Sequence, residues 1–181
     1  GYASKLNPHL GMLMNTKPQL ANATMQNVAA ALTKNQQTVA VAESSTAGLI
    51  SATLLAVPGA SAYYKGGSVV YTLQARKVIL GITREDVNGL DPLTEAMVMA
   101  FAEKARKQLD ATWGIAELGV AGPTGAPYGH PAGISVLAID GPVRLTATVN
   151  TGISDRETNM WTFTSRAIEL LEEALSSPGD V

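Results

Sequence analysis

Cysteine is absent from the 181 residues, which excludes disulfides, thiolate metal sites and cysteine nucleophiles, and suits a reducing compartment. Histidine is nearly absent: only His9 and His130 occur, no acidic cluster has metal-ligand spacing, and no metal site is expected. A Ser-His-acid triad would have to use His130, and without a GxSxG elbow an ordinary serine hydrolase is a poor fit. No run of about 18 apolar residues is available to cross a membrane, and residues 1–20 lack the continuous apolar stretch of a secretory signal. Nor is one sign of charge in surplus. Thirteen Lys and Arg against fifteen Asp and Glu leave a net charge of −2, so neither nucleic acid nor a membrane is expected as a partner. Together these absences predict a cytoplasmic protein.

What is present is a core. Hydrophobic residues make up 46% of the chain against 15% charged, far from the composition of disorder. A chain of this length buries roughly 70% of its unfolded surface as one domain. Residues 1–17 show no periodicity and are expected to form an N-terminal arm, leaving 18–181 as a single domain. Pro18 and the apolar positions Leu20, Thr24, Val28, Ala31 and Leu32 predict a helix over about 18–34. A buried strand follows at 37–42, a short buried helix at 46–56, a second strand at 67–72 and a helix at 74–80 closed by Gly81. Thr94 is placed to cap a helix reaching Leu109. Strands are expected at 113–120, 133–139 and 143–149, the last two joined by a tight turn at AspGlyPro, 140–142, and a final helix at 155–175. The fold class these elements predict is α/β, with helices on both sides of a mixed sheet of five or six strands.

Two stretches carry chemistry. VAESSTAGLIS, 41–51, ends a strand in a carboxylate and three hydroxyls, Glu43, Ser44, Ser45 and Thr46, before Gly48 and a new apolar run. Either Ser45 or Thr46 caps the helix, or the corner is a site. The second stretch, AGPTGAPYGHPAG at 121–133, connects two strands. Its glycines Gly122 and Gly125 continue from Gly119 as GxxGxxG, but a dinucleotide-binding turn must open a helix, and this one runs into Pro127 and Pro131. No dinucleotide cofactor is expected. In open α/β sheets ligands collect at strand ends, so the two stretches are expected to face each other across one cavity.

VAESSTAGLIS, VPGAS at 57–61, GGSVVYTLQAR at 66–76, GVAGPTG at 119–125, PAG at 131–133 and AspArg at 155–156 resemble, in order, the motifs of the CinA C-terminal family. These competence-damage-inducible proteins include nicotinamide mononucleotide (NMN) deamidases. The resemblance covers about residues 20–176 and implies a three-layer α/β/α sandwich, a homo-oligomer, and hydrolysis of the NMN amide to ammonia and nicotinate mononucleotide without cofactor or metal. It places the family's serine nucleophile on Ser44, within its Glu-Ser-Cys-Thr-Gly-Gly motif, and its tyrosine on Tyr71. The lysine thought to activate that serine falls on Arg76. The two stretches are expected to supply the pocket for a mononucleotide or carboxamide through Glu43, Ser45, Thr46, Gly48, Gly122, Thr124, Gly125 and His130.

Three further polar family positions fall on Leu73, Leu118 and near Met160. A guanidinium with a pKa above ~12 does not serve as a base as a buried lysine does. If the serine is activated, the base must come from elsewhere, with Lys65, Lys77, Glu43 and His130 as candidates. Arg76 remains suited to lowering the Ser44 pKa, holding an oxyanion or gripping a phosphate. Three functions follow: an NMN-deamidase-like amidohydrolase, a non-catalytic nucleotide-binding or interaction module, or a serine-dependent hydrolase of a more apolar amide or ester, as Leu73 and Leu118 suggest.

Overall fold

The computed structural model describes residues 20–177; the arm expected at 1–17, and Pro18, lie outside them. Five strands form one sheet in the order β2-β1-β3-β4-β5, where β1 is Val39–Glu43, β2 Tyr64–Val69, β3 Trp113–Val120, β4 Ile134–Asp140 and β5 Leu145–Asn150. β1 runs parallel to both β2 and β3, while β3, β4 and β5 pair antiparallel, so the sheet is mixed as expected. Alternating side chains serve two cores. Val39, Val41, Ile115, Leu137 and Ile139 face helices α1 (Ala23–Lys34), α2 (Leu49–Leu55) and α5 (Arg156–Ser176). Ala42, Ala116, Leu118, Val136 and Ala138 face α4 (Glu95–Gln108) through Val98, Phe101 and Ala102. This is a three-layer α/β/α sandwich.

Most boundaries follow from local chemistry. Thr94 Oγ1 accepts from Met97 N at 3.2 Å and opens α4; Asp155 accepts from Thr158 N at 3.0 Å and opens α5. α1 begins at Ala23, inside the span expected from Pro18, because the Asn22 side chain accepts from Met25 N at 2.9 Å. β2 sits three residues earlier than expected, its glycines Gly66 and Gly67 lying within the strand. Tyr71 is therefore beyond the strand end, just before a short helix α3 (Leu73–Val78) capped by Thr72.

The chain leaves β1 through α2 to β2 on one side and later returns to β3 on the other. The carboxyl ends of β1 and β3 thus meet at a topological switch point, where open α/β sheets hold ligands.

Candidate active site

At that switch point the corner after β1 is a turn, and the helix starts later than the sequence suggested. Ala47 and Gly48 both have positive φ, 53° and 99°, and α2 starts only at Leu49 with no side-chain cap from Ser45 or Thr46. The helix start is satisfied from the strand: Glu43 accepts from Ile50 N at 3.1 Å, Ser51 N at 3.0 Å and Thr46 Oγ1 at 2.7 Å. A carboxylate there meets the unpaired N–H groups of the first turn. Glu43 and Thr46 are fully buried beneath the turn, and they and Gly48 stay outside the cleft lining.

A second carboxylate holds the turn from below. Glu117, on β3, is the register partner of Glu43 and is likewise fully buried. Its Oε1 accepts from Ser44 N at 3.1 Å and Thr46 N at 2.9 Å, with Thr46 Oγ1 at 3.0 Å; its Oε2 accepts from Ser45 Oγ at 2.6 Å. Burial pushes the Glu117 carboxyl above the ordinary carboxylate range, against the opposing pull of the hydrogen bonds from Ser45, Thr46 and Ser44. Gly119, two residues on, leaves room for this pair, since a Cβ would stand 2.6 Å from Ser45 Oγ and 2.8 Å from Glu117 Oε2 and one of them would have to shift.

The loop after β3 forms the opposite wall. Asn159 of α5 pins it, donating to Ala121 O at 2.8 Å and Ile153 O at 3.0 Å while accepting from Thr151 Oγ1 at 2.6 Å. Gly122 has φ 104° and no room for a side chain, a Cβ lying 2.7 Å from Ser154 O. The two turns enclose a cleft of about 310 Å³ lined by Ser44, Ser45, Tyr71, Arg76, Gly122, Thr124, Gly125, Tyr128 and Arg156 among others. A second lobe of about 300 Å³ adjoins it, sharing Ser44, Ser45, Tyr71 and Arg156 and adding Ala47, Val69 and Met160.

Two guanidinium groups face this space. Arg76 is held by Nε to Val70 O at 3.3 Å and over the Phe101 ring at 5.3 Å, and burial lowers its pKa while Tyr128 and Glu117 oppose that. Arg156, on the first turn of α5, donates to Gly122 O and, at 3.4 Å, to Tyr71 Oη. Among the described residues neither has a carboxylate partner, although five other Lys and Arg residues do. Arg156 escaped the sequence reading except as part of the AspArg motif. Its signal was its place one helical turn before Met160, which presents both to one face.

The remaining expectations fall outside the cleft lining. His130 packs edge-on against Tyr128, ring centroids 5.4 Å apart. Lys65 is drawn to Asp110 O at 3.2 Å, and Lys77 is exposed and outside the cleft. Leu118 is buried in the core facing α4 and Leu73 is 79% exposed, so neither makes the cleft apolar. Of the residues named as stand-ins for the family lysine, none lines the cleft; Glu117, which sequence reasoning passed over, reaches it through Ser45. Its only signal was an acid between apolar neighbours in WGIAELGV.

The CinA C-terminal domain model matches residues 21–175. A CinA-like protein of Fervidobacterium nodosum is 37% identical over 111 residues, covering 61% of this chain and 27% of its own length. One from Anaeromyxobacter is 36% identical over 148 residues, 82% of this chain and 36% of its own. The chain therefore spans about a quarter to a third of the length of these curated relatives. The crystal structure of a competence or damage-inducible protein from Enterobacter asburiae is similar with a TM-score of 0.78, at 28% identity over 84% of this chain and 96% of that one.

Proposed function

Because the chain belongs to the CinA C-terminal domain family, we propose that it is a serine-dependent amidohydrolase acting on a mononucleotide that carries a carboxamide, with NMN as the reference substrate. One observation carries this reading: Arg76 and Arg156, without carboxylate partners among the described residues, line the same cleft as two serines. The cations suit a phosphate, which Arg grips bidentately, and the hydroxyls suit an acyl carbon. The cleft volume is within the range of small-molecule sites.

In the reaction a seryl oxygen attacks the carboxamide carbon and the carbonyl π pair moves to oxygen. The C–N bond then breaks as ammonia leaves with the transferred proton, and water releases the acid from the acyl-enzyme. The family resemblance assigns the attack to Ser44 and proton transfer to Tyr71. Tyr71, 57% exposed and tethered by Arg156, stands on the rim where a leaving group would exit. Thr124 and Gly125 border the same space from the other wall.

A non-catalytic nucleotide-binding module is the second reading. It is favoured by one fact: among the described residues Ser44 bonds a carboxylate only through its backbone N–H, and no base is hydrogen-bonded to its Oγ. Incubation with NMN and assay of ammonia decides between the two. Turnover above a variant lacking both hydroxyls, Ser44→Ala with Ser45→Ala, is expected; calorimetric binding of NMN without turnover would leave only the binder.

A homo-oligomer belongs to the same proposal. Val69, Tyr71, Leu73, Val78 and Ile79 expose apolar surface along edge strand β2 and α3. Sedimentation at the mass of a single chain would contradict it.

A further inference from the structure

Glu43 and Glu117 lie side by side on neighbouring strands, fully buried and, among the described residues, without a cation in salt-bridge contact. Buried carboxylates are costly and call for a reason. Glu43 has one, since its oxygens satisfy the start of α2. Glu117 Oε1 has one too, since it takes the Ser44 and Thr46 backbone N–H groups that shape the turn. Oε2 serves no backbone. Its partners are Ser45 Oγ at 2.6 Å and Ser135 Oγ at 3.3 Å, and the Ser135 hydroxyl has a closer acceptor in Leu118 O at 3.1 Å. What Oε2 holds tightly is one hydroxyl, at 2.6 Å, and it belongs to Ser45, a residue that borders both lobes of the cleft.

We propose that Ser45, with Glu117 as its general base, is the reacting hydroxyl of this cleft. The inference rests on the hydrolytic reading above and changes which serine performs it. A nucleophile and its base are recognised by mutual hydrogen-bond reach of about 2.6–3.2 Å. Ser45 and Glu117 meet that geometry. Ser44 offers Glu117 only its backbone N–H. Gly119 supports the assignment, because a Cβ there would press on both Ser45 Oγ and Glu117 Oε2 and disturb their bond.

The step balances. Ser45 Oγ forms a bond to the acyl carbon, its proton passes to Glu117 Oε2, and the neutral acid returns that proton to the departing nitrogen as the C–N bond breaks. Water then attacks the acyl carbon with Glu117 again accepting the proton, and that proton returns to Ser45 Oγ as the ester C–O bond breaks and the carboxylic acid leaves. Taking up a proton relieves a buried charge, consistent with the raised pKa of this carboxyl. The ionisable groups facing it are Glu43 from β1 and Arg76 from α3. β4 contributes Ser135 and the register partner Leu137, and α5 contributes the Phe163 ring beside Gly119, none of them charged.

The test is labelling with a fluorophosphonate, in which the serine oxygen displaces fluoride from phosphorus, followed by fragmentation mass spectrometry to locate the adduct. Phosphonylation is expected on Ser45. Its rate should climb as pH rises through the raised Glu117 pKa, and Glu117→Gln should slow it roughly a hundredfold or more and abolish that limb. In this variant the side-chain carbonyl still accepts from the turn, and circular dichroism checks the fold. If it does not fold, the wild-type pH profile and the loss of adduct in Ser45→Ala decide. An adduct on Ser44, no adduct, or a Ser45 adduct indifferent to both pH and Glu117 would overturn the proposal. Ammonia release from NMN is read separately. Its absence beside Glu117-dependent labelling of Ser45 would remove the substrate and leave the dyad, whereas turnover with the adduct on Ser44 would remove the dyad and leave the substrate.

Discussion

Glu117 shows why single residues at this site resist reading from sequence. Its identity was visible, but its meaning depends on the parallel register that sets it beside Glu43 and beneath Ser45, and register is not encoded within either strand. Ser44, Ser45 and Arg76 were recognisable because their motifs are contiguous, whereas Glu43 and Thr46, adjacent in the same motif, point into the floor and not the cleft. The raised pKa of Glu117 makes a stability prediction with a definite sign. A carboxyl whose pKa is higher folded than unfolded contributes its full stability only while protonated, below the unfolded value of about 4.5, and loses it as pH rises through the folded value. Glu117→Gln stays neutral throughout. The Tm of the variant minus that of the wild type should therefore increase as pH is raised from 4 towards neutrality; a difference independent of pH would show that Glu117 is not strained by its burial.

Elements were more legible than residues, and caps account for much of that. Thr94 sits immediately before a periodic apolar run and was readable as a cap, while Asp155, expected as the first residue of a helix at 155–175, is the cap of a helix that starts one residue later. The strand expected at 67–72 was displaced because the apolar run after Ser68 looks like strand, whereas pairing with β1 begins at Tyr64, takes in both Gly66 and Gly67 at the sheet edge and ends at Val69. The two caps also separate stability from function. Thr94→Ala should cost about 1 kcal/mol of stability, as loss of an N-cap does, and leave NMN affinity unchanged. Asp155→Ala should also destabilise, but it loosens the turn that carries Arg156 and should weaken NMN binding by calorimetry as well. Equal effects of the two on binding would argue that the first turn of α5 does not position a ligand contact.

At the scale of the whole molecule, the fold class followed from counting elements: strands alternating with helices, then a tight AspGlyPro connection, require a mixed sheet covered on both faces. The same topology places the site. β1 and β3 are neighbours that the chain enters from opposite directions of winding, so the turn after β1 and the loop after β3 converge although far apart in sequence. Among the described residues no helix is long and apolar enough to cross a membrane, and no three His, Asp or Glu side chains gather as metal ligands.

The convergence of the two turns on an anionic carboxamide is the claim on which the functional reading depends, and a crystal structure of the protein with NMN tests it most directly. The phosphate is expected against Arg76 and Arg156, with the carboxamide carbon about 3–3.5 Å from a seryl oxygen of the corner. A nucleotide seated elsewhere, or one in the cleft with its carboxamide turned to solvent, would contradict the account.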